Sequence, residues 1–523
     1  MGVIETVFLV ISSCILCSVS LGISNAAPTS TYNVVNFGAK ADGKTDCTKP
    51  FIKAWQSACT SLSPATIYVP KGRYLLGNTN FRGPCKRKVT FLIAGTLVAP
   101  EDYKALGNSG FWILFNHVEN VVISGGKLDA KGAAFWNCRR SGKNCPVGAR
   151  LCSMTFNWVN NLVVSGITSV NSQLSHLVIN PCNNVLVKNV KLIAPDQSPN
   201  TDGIHVERST GVTINGCTMQ TGDDCISIGD ATYNLFMSNI KCGPGHGVSI
   251  GSLGKEMEEK GVENVTLTNA IFSGSDNGVR IKTWARPSNG FVRNVRFQNI
   301  IMDKVENPII IDQNYCPNNQ GCPGQISGIK ISQITYSNIK GSSATSEAVT
   351  FDCSPSNPCQ GIKLQDINLN YNNRAATPSF GAGAPDAISS DPRFLSFEFS
   401  WVFPPYLDLY LPSQASKAQL SERVLKEIPE ELKKNLDHVC SSIQGVWRSA
   451  PGGAPSTRTP TSMAVFLYYV EDEAGPRVER SALALQRFWR LAPELSAWRQ
   501  IPCSGRKTWE LTEALSPWAL RRW

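Results

Sequence analysis

Four short segments in the middle of the chain share one pattern of alternating apolar and polar residues. They cover residues 202–206, 224–228, 246–250 and 277–281, and their starts lie 22, 22 and 31 residues apart. Alternation with a period of two is typical of a β-strand with one buried face. Similar strands at such a spacing indicate a solenoid in which each coil contributes one of them. Neighbouring strands in such a stack lie about 4.8 Å apart, so equivalent positions form a ladder.

A second family of strand segments interleaves with the first, and each member begins with Asn or Gly, which suits a turn with positive φ. Its members are residues 120–123, 161–164, 184–187, 211–214, 234–237, 264–267, 294–297, 328–331 and 361–364. The first family also continues through residues 175–179, 307–311 and 347–351. Two interleaved strand families predict at least two sheets along one axis, which is an all-β parallel β-helix.

The repeats divide the chain into three parts. Residues 1–26 hold a mostly apolar stretch, which predicts a cleaved secretory signal rather than a membrane anchor. Residues 27–379 hold the repeats, and helical spacing of apolar residues over 45–61 predicts an N-terminal capping helix. Residues 380–523 share no period with the rest, so we expect a partly helical tail that is an appended domain, disordered or an artefact of the gene sequence.

The charge of the chain restricts the class of its partner. The formal net charge is +10, with 17% charged residues and 42 glycines. Such an excess of basic groups suits nucleic acid, an anionic membrane or an acidic polymer. Because the chain has neither a run of five basic residues nor a nucleic-acid motif, we expect an acidic polymer. No nucleic acid and no membrane after signal cleavage are expected.

The cysteines and one sequon fit passage through an oxidising compartment. Two of the 18 cysteines, Cys14 and Cys17, lie in the predicted signal. Disulfides are expected among the others, and their spacing suggests the pairs Cys225/Cys242, Cys316/Cys322 and Cys353/Cys359. The spacings lack the Cys and His pattern of a zinc site, so no metal is expected. Asn264 begins an Asn-x-Thr sequon, which leaves N-glycosylation open.

Alternation along the ladder collects polar side chains on one outer wall. The outward set of the four central strands begins with His205, Ser227, Ser249 and Arg280, and Lys282 follows on the same face. The pair Arg280 and Lys282 could bind a substrate carboxylate, one through a bidentate fork and the other as a point charge. A solvated basic pair is the alternative.

Three carboxylates and a histidine, Asp202, Asp223, Asp224 and His246, lie at the heads of these strands. Parity directs Asp223 outward and Asp224 inward, unless the turn breaks the alternation. Adjacent buried carboxylates require cations nearby, and their repulsion raises at least one pKa, which suits a general acid. One protonated and one ionised carboxylate are the groups that hydrolyse a glycoside. Asx capping or calcium binding is the alternative, which His246 on the next coil makes less attractive.

Four motifs in this region match a known family. Asn200-Thr201-Asp202-Gly203, Gly222-Asp223-Asp224, Gly245-His246-Gly247 and Arg280-Ile281-Lys282 resemble the signature motifs of polygalacturonases, glycoside hydrolase family 28, in order and spacing. The resemblance extends from residue 32 to residue 379, and residues 108–112 and 279–287 are most similar to plant, pollen-type exopolygalacturonases. It implies a right-handed parallel β-helix that is secreted to the cell wall. It also implies inverting hydrolysis of α-1,4-linked galacturonan in pectin, with exo attack favoured, no cofactor and a monomeric state.

The same resemblance implies a role for each motif residue. Asp223 would protonate the leaving oxygen, Asp202 and Asp224 would activate the attacking water, and His246 would tune or re-protonate the acid. The substrate would be bound by Asn200, Arg280, Lys282 and Tyr315.

Other functions remain open at this point. A pectin or pectate lyase on the same fold would need calcium or an arginine base and would leave an unsaturated product. A rhamnogalacturonan or xylogalacturonan hydrolase is a further alternative. A wall-binding protein without activity is the third, because the chain lacks the cysteine pair that the family has soon after residue 379. Clustered carboxylates facing an anionic polymer argue against that third reading.

Overall fold

The computed structural model describes residues 29–107, 109–142, 145, 152–317, 320–381 and 387–389. Within these residues no helix is long and apolar enough to cross a bilayer. The predicted signal over 1–26 lies outside the described residues. So does the predicted tail, apart from residues 380–381 and 387–389.

The described residues form thirty strands that are hydrogen-bonded into one continuous sheet. The first fifteen are β1 Ser30–Asn33, β2 Asp42–Asp46, β3 Ala65–Val69, β4 Arg73–Leu75, β5 Thr79–Arg82, β6 Val89–Ile93, β7 Thr96–Val98, β8 Phe111–Ser124, β9 Lys127–Asp129, β10 Cys152–Ser165, β11 Thr168–Val170, β12 Leu177–Ile179, β13 Cys182–Lys188, β14 Lys191–Ile193 and β15 Ile204–Val206. The others are β16 Thr210–Asn215, β17 Thr218–Gln220, β18 Ile226–Ile228, β19 Thr232–Cys242, β20 Val248–Leu253, β21 Val262–Ser273, β22 Asn277–Thr283, β23 Phe291–Val305, β24 Asn307–Asp312, β25 Lys330–Ser343, β26 Glu347–Asp352, β27 Gln360–Tyr371, β28 Arg374–Ala375, β29 Thr377–Phe380 and β30 Ala387–Ser389.

The strands stack in three parallel columns, as expected for a β-helix. The first column contains β5, the first halves of β8 and β10, and then β12, β15, β18, β20, β22, β24, β26 and β29. The second column runs from β1 through β3, β6, the second halves of β8 and β10, β13, β16, β19, β21, β23, β25 and β27 to β30. The third begins with β2, β4, β7, β9, β11, β14 and β17 and continues in the ends of the long strands. The two strand families of the sequence are the first and second columns.

The corner between the first and second columns depends on residues that tolerate positive φ. Asn161, Asn184 and Asn234 have φ angles of 57°, 56° and 57° there, in agreement with the prediction from the strand heads. One segment predicted for the second strand family, residues 328–331, is out of register with the others. Gln333, with φ 58°, occupies its corner, and Ile334 pairs with Val295. The long loop before β25 hides this shift from the spacing of the sequence.

Asn264, the predicted glycosylation site, is exposed and lies on the same corner with φ 58°. Its Nδ2 donates to Asn234 Oδ1 at 2.5 Å, and its Oδ1 accepts from Asn294 Nδ2 at 3.5 Å. The amide nitrogen that would carry a glycan is thus part of a ladder between coils. Glycosylation of Asn264 stays a prediction.

Two α-helices accompany the strands, α1 over Thr48–Cys59 and α2 over Ala133–Arg140, with 3-10 turns at Val34–Phe37 and Tyr103–Leu106. Helix α1 lies within the predicted capping helix and buries Phe51 and Trp55 against the first coils. Between the columns, ladders of fully buried apolar residues form the core; one ladder contains Ile204, Ile226, Val248 and Val279. Each such side chain contributes roughly 1.5–3 kcal/mol by leaving water. At the C-terminal end, β30 extends the stack ten residues beyond the predicted boundary at residue 379.

Five disulfides are formed within the described residues. Three are the pairs that the sequence suggests, Cys225–Cys242, Cys316–Cys322 and Cys353–Cys359. Sequence spacing missed the other two, Cys59–Cys85 and Cys138–Cys145. The bond between Cys59 and Cys85 connects the end of α1 to a loop 26 residues away, a contact that only the fold brings about.

Removal of the Cys225–Cys242 bond is expected to destabilise the central coils. The bond closes a loop with a sequence separation of 17, for which the loss of chain entropy in the unfolded state predicts about 3 kcal/mol. The C225A/C242A variant should therefore unfold at a lower guanidinium concentration than the parent, measured without reductant. The matched control is C316A/C322A, whose separation of six gives a smaller effect. Equal midpoints for parent and C225A/C242A would contradict the expectation.

Candidate active site

The predicted ladder of outward residues is present on the first column. Strands β15, β18, β20 and β22 pair in parallel, so that His205, Ser227, Ser249 and Arg280 are successive cross-strand neighbours. Lys282 follows on β22, opposite Asp312 of the next coil. The strand heads that precede these four residues carry the predicted carboxylates and histidine, and they lie on the same side of the stack.

Asp224 is the most buried acidic group of this wall, with 2% of its side chain exposed. Its Oδ1 accepts hydrogen bonds from Ser249 Oγ at 2.7 Å and from Arg280 Nη2 at 2.8 Å. Its Oδ2 accepts from Lys282 Nζ at 2.7 Å. The two cations supply the charge compensation that a buried carboxylate requires.

The expectation from parity that Asp224 faces inward is wrong. Cys225 and Ile226 are both buried in the core, so the turn before β18 breaks the alternation and turns Asp224 to the outer wall. Gly222 helps to fix this turn, because a Cβ at its position would lie 2.1 Å from the backbone oxygen of Ser198. A larger residue would push the two carboxylates away from the neighbouring coil.

Asp223 joins three coils through its carboxylate. Its Oδ1 lies 3.1 Å from His246 Nδ1, and its Oδ2 accepts from Asn200 Nδ2 at 3.1 Å. Burial acts to raise the pKa of Asp223, but the hydrogen bond and charge of His246, with the charge of Lys282, outweigh it and lower the pKa to about 2. In the free protein Asp223 is therefore ionised.

The surroundings of His246 favour its protonated form. Burial acts to lower the pKa of His246, but the hydrogen bond to Asp223 and the charges of Asp223, Asp224 and Asp276 raise it above the usual value. Its Nε2 lies 3.4 Å from Asp276 Oδ2. The imidazole thus bridges two carboxylates, and its proton is one hydrogen bond away from Asp223.

Asp202 has the opposite electrostatic environment. Burial, and then the charges of Asp223 and Asp224, raise its pKa to about 7. Its Oδ2 accepts a hydrogen bond from Ser227 Oγ at 2.6 Å. The sequence predicts that crowding raises one carboxyl pKa, and the raised group is Asp202 rather than Asp223, because His246 lies beside Asp223.

The basic groups and Tyr315 form the end of the wall. The Tyr315 ring centroid lies 5.3 Å from Lys282 Nζ and 6.0 Å from the guanidinium carbon of Arg280, within the range of cation–π attraction. Trp284 contacts Tyr315 edge-on at 5.5 Å. Asn200, with φ 57°, is exposed at the other end. All eight residues predicted for catalysis and substrate binding are thus brought to one side of the stack.

Arg280 and Lys282 retain donors for a ligand although both bind Asp224. The Arg280 guanidinium carries five N–H groups and the Lys282 ammonium three. The hydrogen bonds described here, to Asp224 and Ser249, use only some of them. The pair can therefore bind a further carboxylate while it neutralises Asp224.

A cation could in geometric terms be bound by Asp223, Asp224 and His246, whose ligand atoms lie within 4.8 Å of one another. The chemistry of these groups is less suited to a metal, since Asp224 is already bound by Arg280 and Lys282. The orientation of His246 is set by its hydrogen bond to Asp223 and does not depend on a bound metal ion.

Sequence reasoning gave no role to three polar residues of the site. Ser249 contacts Asp224, Asp276 contacts His246, and Ser227 contacts Asp202. Ser227 and Ser249 do stand in the outward set, and the register of the strands is the signal that would have identified them. Asp276 lies in the turn before β22, where the alternation of strand residues does not predict which way a side chain points.

Comparison with known proteins gives the same result as the motifs. Residues 59–380 match the family model described as glycosyl hydrolases family 28. A polygalacturonase of Prunus persica is 56% identical over 351 residues, which is 67% of this chain and 89% of that protein. An exopolygalacturonase of Platanus acerifolia is 40% identical over 361 residues, 68% of this chain and 92% of that protein.

Among solved structures, the endo-xylogalacturonan hydrolase of Aspergillus tubingensis matches with a TM-score of 0.60 and 22% identity. The match covers 69% of this chain and 99% of that structure, and at that identity it bears on the fold alone. The family model spans most of the described residues, and the Prunus persica polygalacturonase is 56% identical to this chain. The chain belongs to the glycosyl hydrolases family 28 and is a glycoside hydrolase.

Proposed function

We propose that the protein hydrolyses α-1,4-galacturonosidic bonds of polygalacturonate in pectin. The observation that carries the proposal is the contrast between Asp202, whose pKa is raised to about 7, and Asp223, which shares the proton of His246. Carboxyl groups with separated pKa values provide the acid and the base of glycoside hydrolysis, and the raised pKa usually belongs to the acid. In the arrangement proposed here the acid, Asp223, takes its proton from His246, so the raised pKa is left to the base, Asp202. The names of the Prunus persica and Platanus acerifolia relatives support polygalacturonate as the substrate.

In the proposed reaction, Asp202 accepts a proton from a water molecule while the water oxygen forms a bond to the anomeric carbon. The bond from that carbon to the leaving oxygen breaks, and the leaving oxygen takes a proton through Asp223. His246 supplies this proton across the 3.1 Å hydrogen bond to Asp223. Asp224 takes part through its charge and through the orientation of Arg280 and Lys282. A pKa of about 7 suits Asp202 to act as a base near neutral pH.

Substrate binding follows from the charge of the wall. Arg280 and Lys282 would bind the carboxylate of one galacturonate unit, with the Tyr315 ring beside them. Asn200, which is exposed and hydrogen-bonded to Asp223, would bind a hydroxyl or carboxylate of a neighbouring unit. We also propose that the protein is a monomer secreted to the cell wall. The five disulfides of the described residues support secretion.

Product analysis tests the reaction, its stereochemistry and its direction of attack. Incubation with polygalacturonate is expected to release galacturonate monomer alone, which is exo attack, and NMR of the first product should record the inverted β-anomer. EDTA should leave the rate unchanged. A ladder of oligomers would replace exo by endo attack. An ultraviolet-absorbing double bond would identify a lyase, and release from xylogalacturonan or rhamnogalacturonan alone would change the substrate. Binding without any product would refute hydrolysis.

A further inference from the structure

Asp202 is the end of a directed chain of hydrogen bonds. Ser227 Oγ donates its proton to Asp202 Oδ2 at 2.6 Å. The same Oγ lies 2.8 Å from His205 Nδ1. A hydroxyl has a single proton, so when Asp202 is ionised and takes that proton, Oγ accepts from His205 and His205 carries a proton on Nδ1.

The other side of His205 faces a carboxylate. His205 Nε2 lies 3.7 Å from Glu207 Oε2, and Asn180 Nδ2 donates to the same oxygen at 2.7 Å. The close contact with His205, against the opposing effect of burial, holds the pKa of Glu207 below its usual value. Glu207 therefore stays ionised beside His205. The chain Glu207–His205–Ser227–Asp202 thus has a negative charge at its far end and a donor at each step towards Asp202.

The surroundings of Asp202 make such a donor important. Burial, Asp223 and Asp224 all disfavour its ionised form, whereas His205 and Ser227 favour it. The Cys152 thiol also lies nearby, but burial and the charge of Asp202 raise its pKa to about 12, so it stays neutral. Ser227 and His205 therefore oppose the other groups that face this carboxyl.

We propose that Ser227 and His205 form a relay that orients Asp202 and keeps it ionised, so that it can take a proton from water. Both are positioning residues, since they act through Asp202. The proposal rests on the proposed function, in which Asp202 is the base. It gives a role to two side chains that lie on successive rungs of the first column.

Kinetics of three variants test the relay. Ser227→Ala removes the donor to Asp202, so kcat on polygalacturonate should fall roughly tenfold to a hundredfold, a part of the 10²–10⁴ that one positioned acid–base group contributes. KM should change little. The acid limb of kcat/KM should move to higher pH, because the base now loses its proton less readily. His205→Asn keeps an N–H near the Nδ1 position without a charge and should have the smaller effect, and His205→Phe should resemble Ser227→Ala.

Controls separate the relay from loss of fold. His117→Asn and Ser165→Ala change the same residue types away from the site. His117 lies at the corner between the first and second columns, and Ser165 lies on the second column. Both variants should keep the rate and pH profile of the parent. Thermal unfolding identifies any variant that is not folded. A folded Ser227→Ala variant with the rate and acid limb of the parent would overturn the proposal.

A measurement independent of activity distinguishes failure of the relay from failure of the proposed function. In protein with ¹³C-labelled aspartate carboxyl groups, the Asp202 resonance, assigned with Asp202→Asn, should titrate at higher pH in Ser227→Ala than in the parent. An unchanged titration would refute the relay even if the parent is active. If the Asp202 titration shifts in Ser227→Ala but the parent releases no sugar from polygalacturonate, the relay is supported and the proposed hydrolase activity is refuted.

Discussion

Asp223→Asn is expected to lower kcat on polygalacturonate by a factor of 10³ or more while the fold is preserved. The amide still fits between Asn200 and His246, but it cannot pass a proton to the leaving oxygen. General acid catalysis by one positioned group contributes about 10²–10⁴, and the link to the His246 proton is lost as well. Release of reducing ends measures the rate, and circular dichroism with thermal unfolding measures the fold.

The matched control is Asp303→Asn, since Asp303 is exposed on β23 at the third column. It should keep the activity of the parent. A folded Asp223→Asn variant with parent-like release of reducing ends would remove Asp223 from the role of acid. A loss in both variants would indicate instead that the assay responds to net charge.

Lys282→Met is expected to produce the largest loss of stability of any single change at the site. Asp224 and Lys282 have only 2% and 8% of their side chains exposed, and their charged atoms lie 2.7 Å apart. Removal of one partner leaves a buried charge with incomplete compensation, which typically costs about 3–5 kcal/mol. Arg280 remains on the other oxygen, so the lower end of this range is expected. Denaturant unfolding measures the change, and kcat should fall too.

The double variant Lys282→Met with Asp224→Asn separates charge from packing. It removes the unpaired charge, so it should regain much of the stability that Lys282→Met loses, without regaining activity. Lys241→Met, an exposed lysine on β19, is the control and should stay within about 0.5 kcal/mol of the parent. Equal stability of Lys282→Met and Lys241→Met would mean that the buried pair adds nothing to the fold.

The sequence predicts the fold well because a solenoid repeats local information. The first and second columns follow from alternation and from the Asn and Gly residues at positive φ, and both were found. The third column was missed because its later members are the ends of long strands such as β19, which continue from the second column without a break. No separate segment of the sequence therefore marks them. The shift at Gln333 was missed because spacing alone cannot locate an insertion.

The placement of the candidate site residues on one wall was predicted from the sequence, but their electrostatics were not. Parity gave Arg280 and Lys282 their common face, and it failed for Asp224, where a turn places two successive residues in the core. Which carboxyl group keeps a proton could not be decided from the sequence. That depends on the 3.1 Å contact of Asp223 with His246 and on the burial of Asp202, which are properties of packed coils.

The groups proposed to carry the chemistry belong to four consecutive coils, from β15 to β22. In a stack where each repeat contacts only its neighbours, fraying begins at the termini and advances inward. Heat inactivation of this enzyme would then measure the unfolding of its central coils, and the outer coils could unfold before any activity is lost. Chains trimmed from either extremity would keep working up to the point at which the four central coils lose a flanking neighbour.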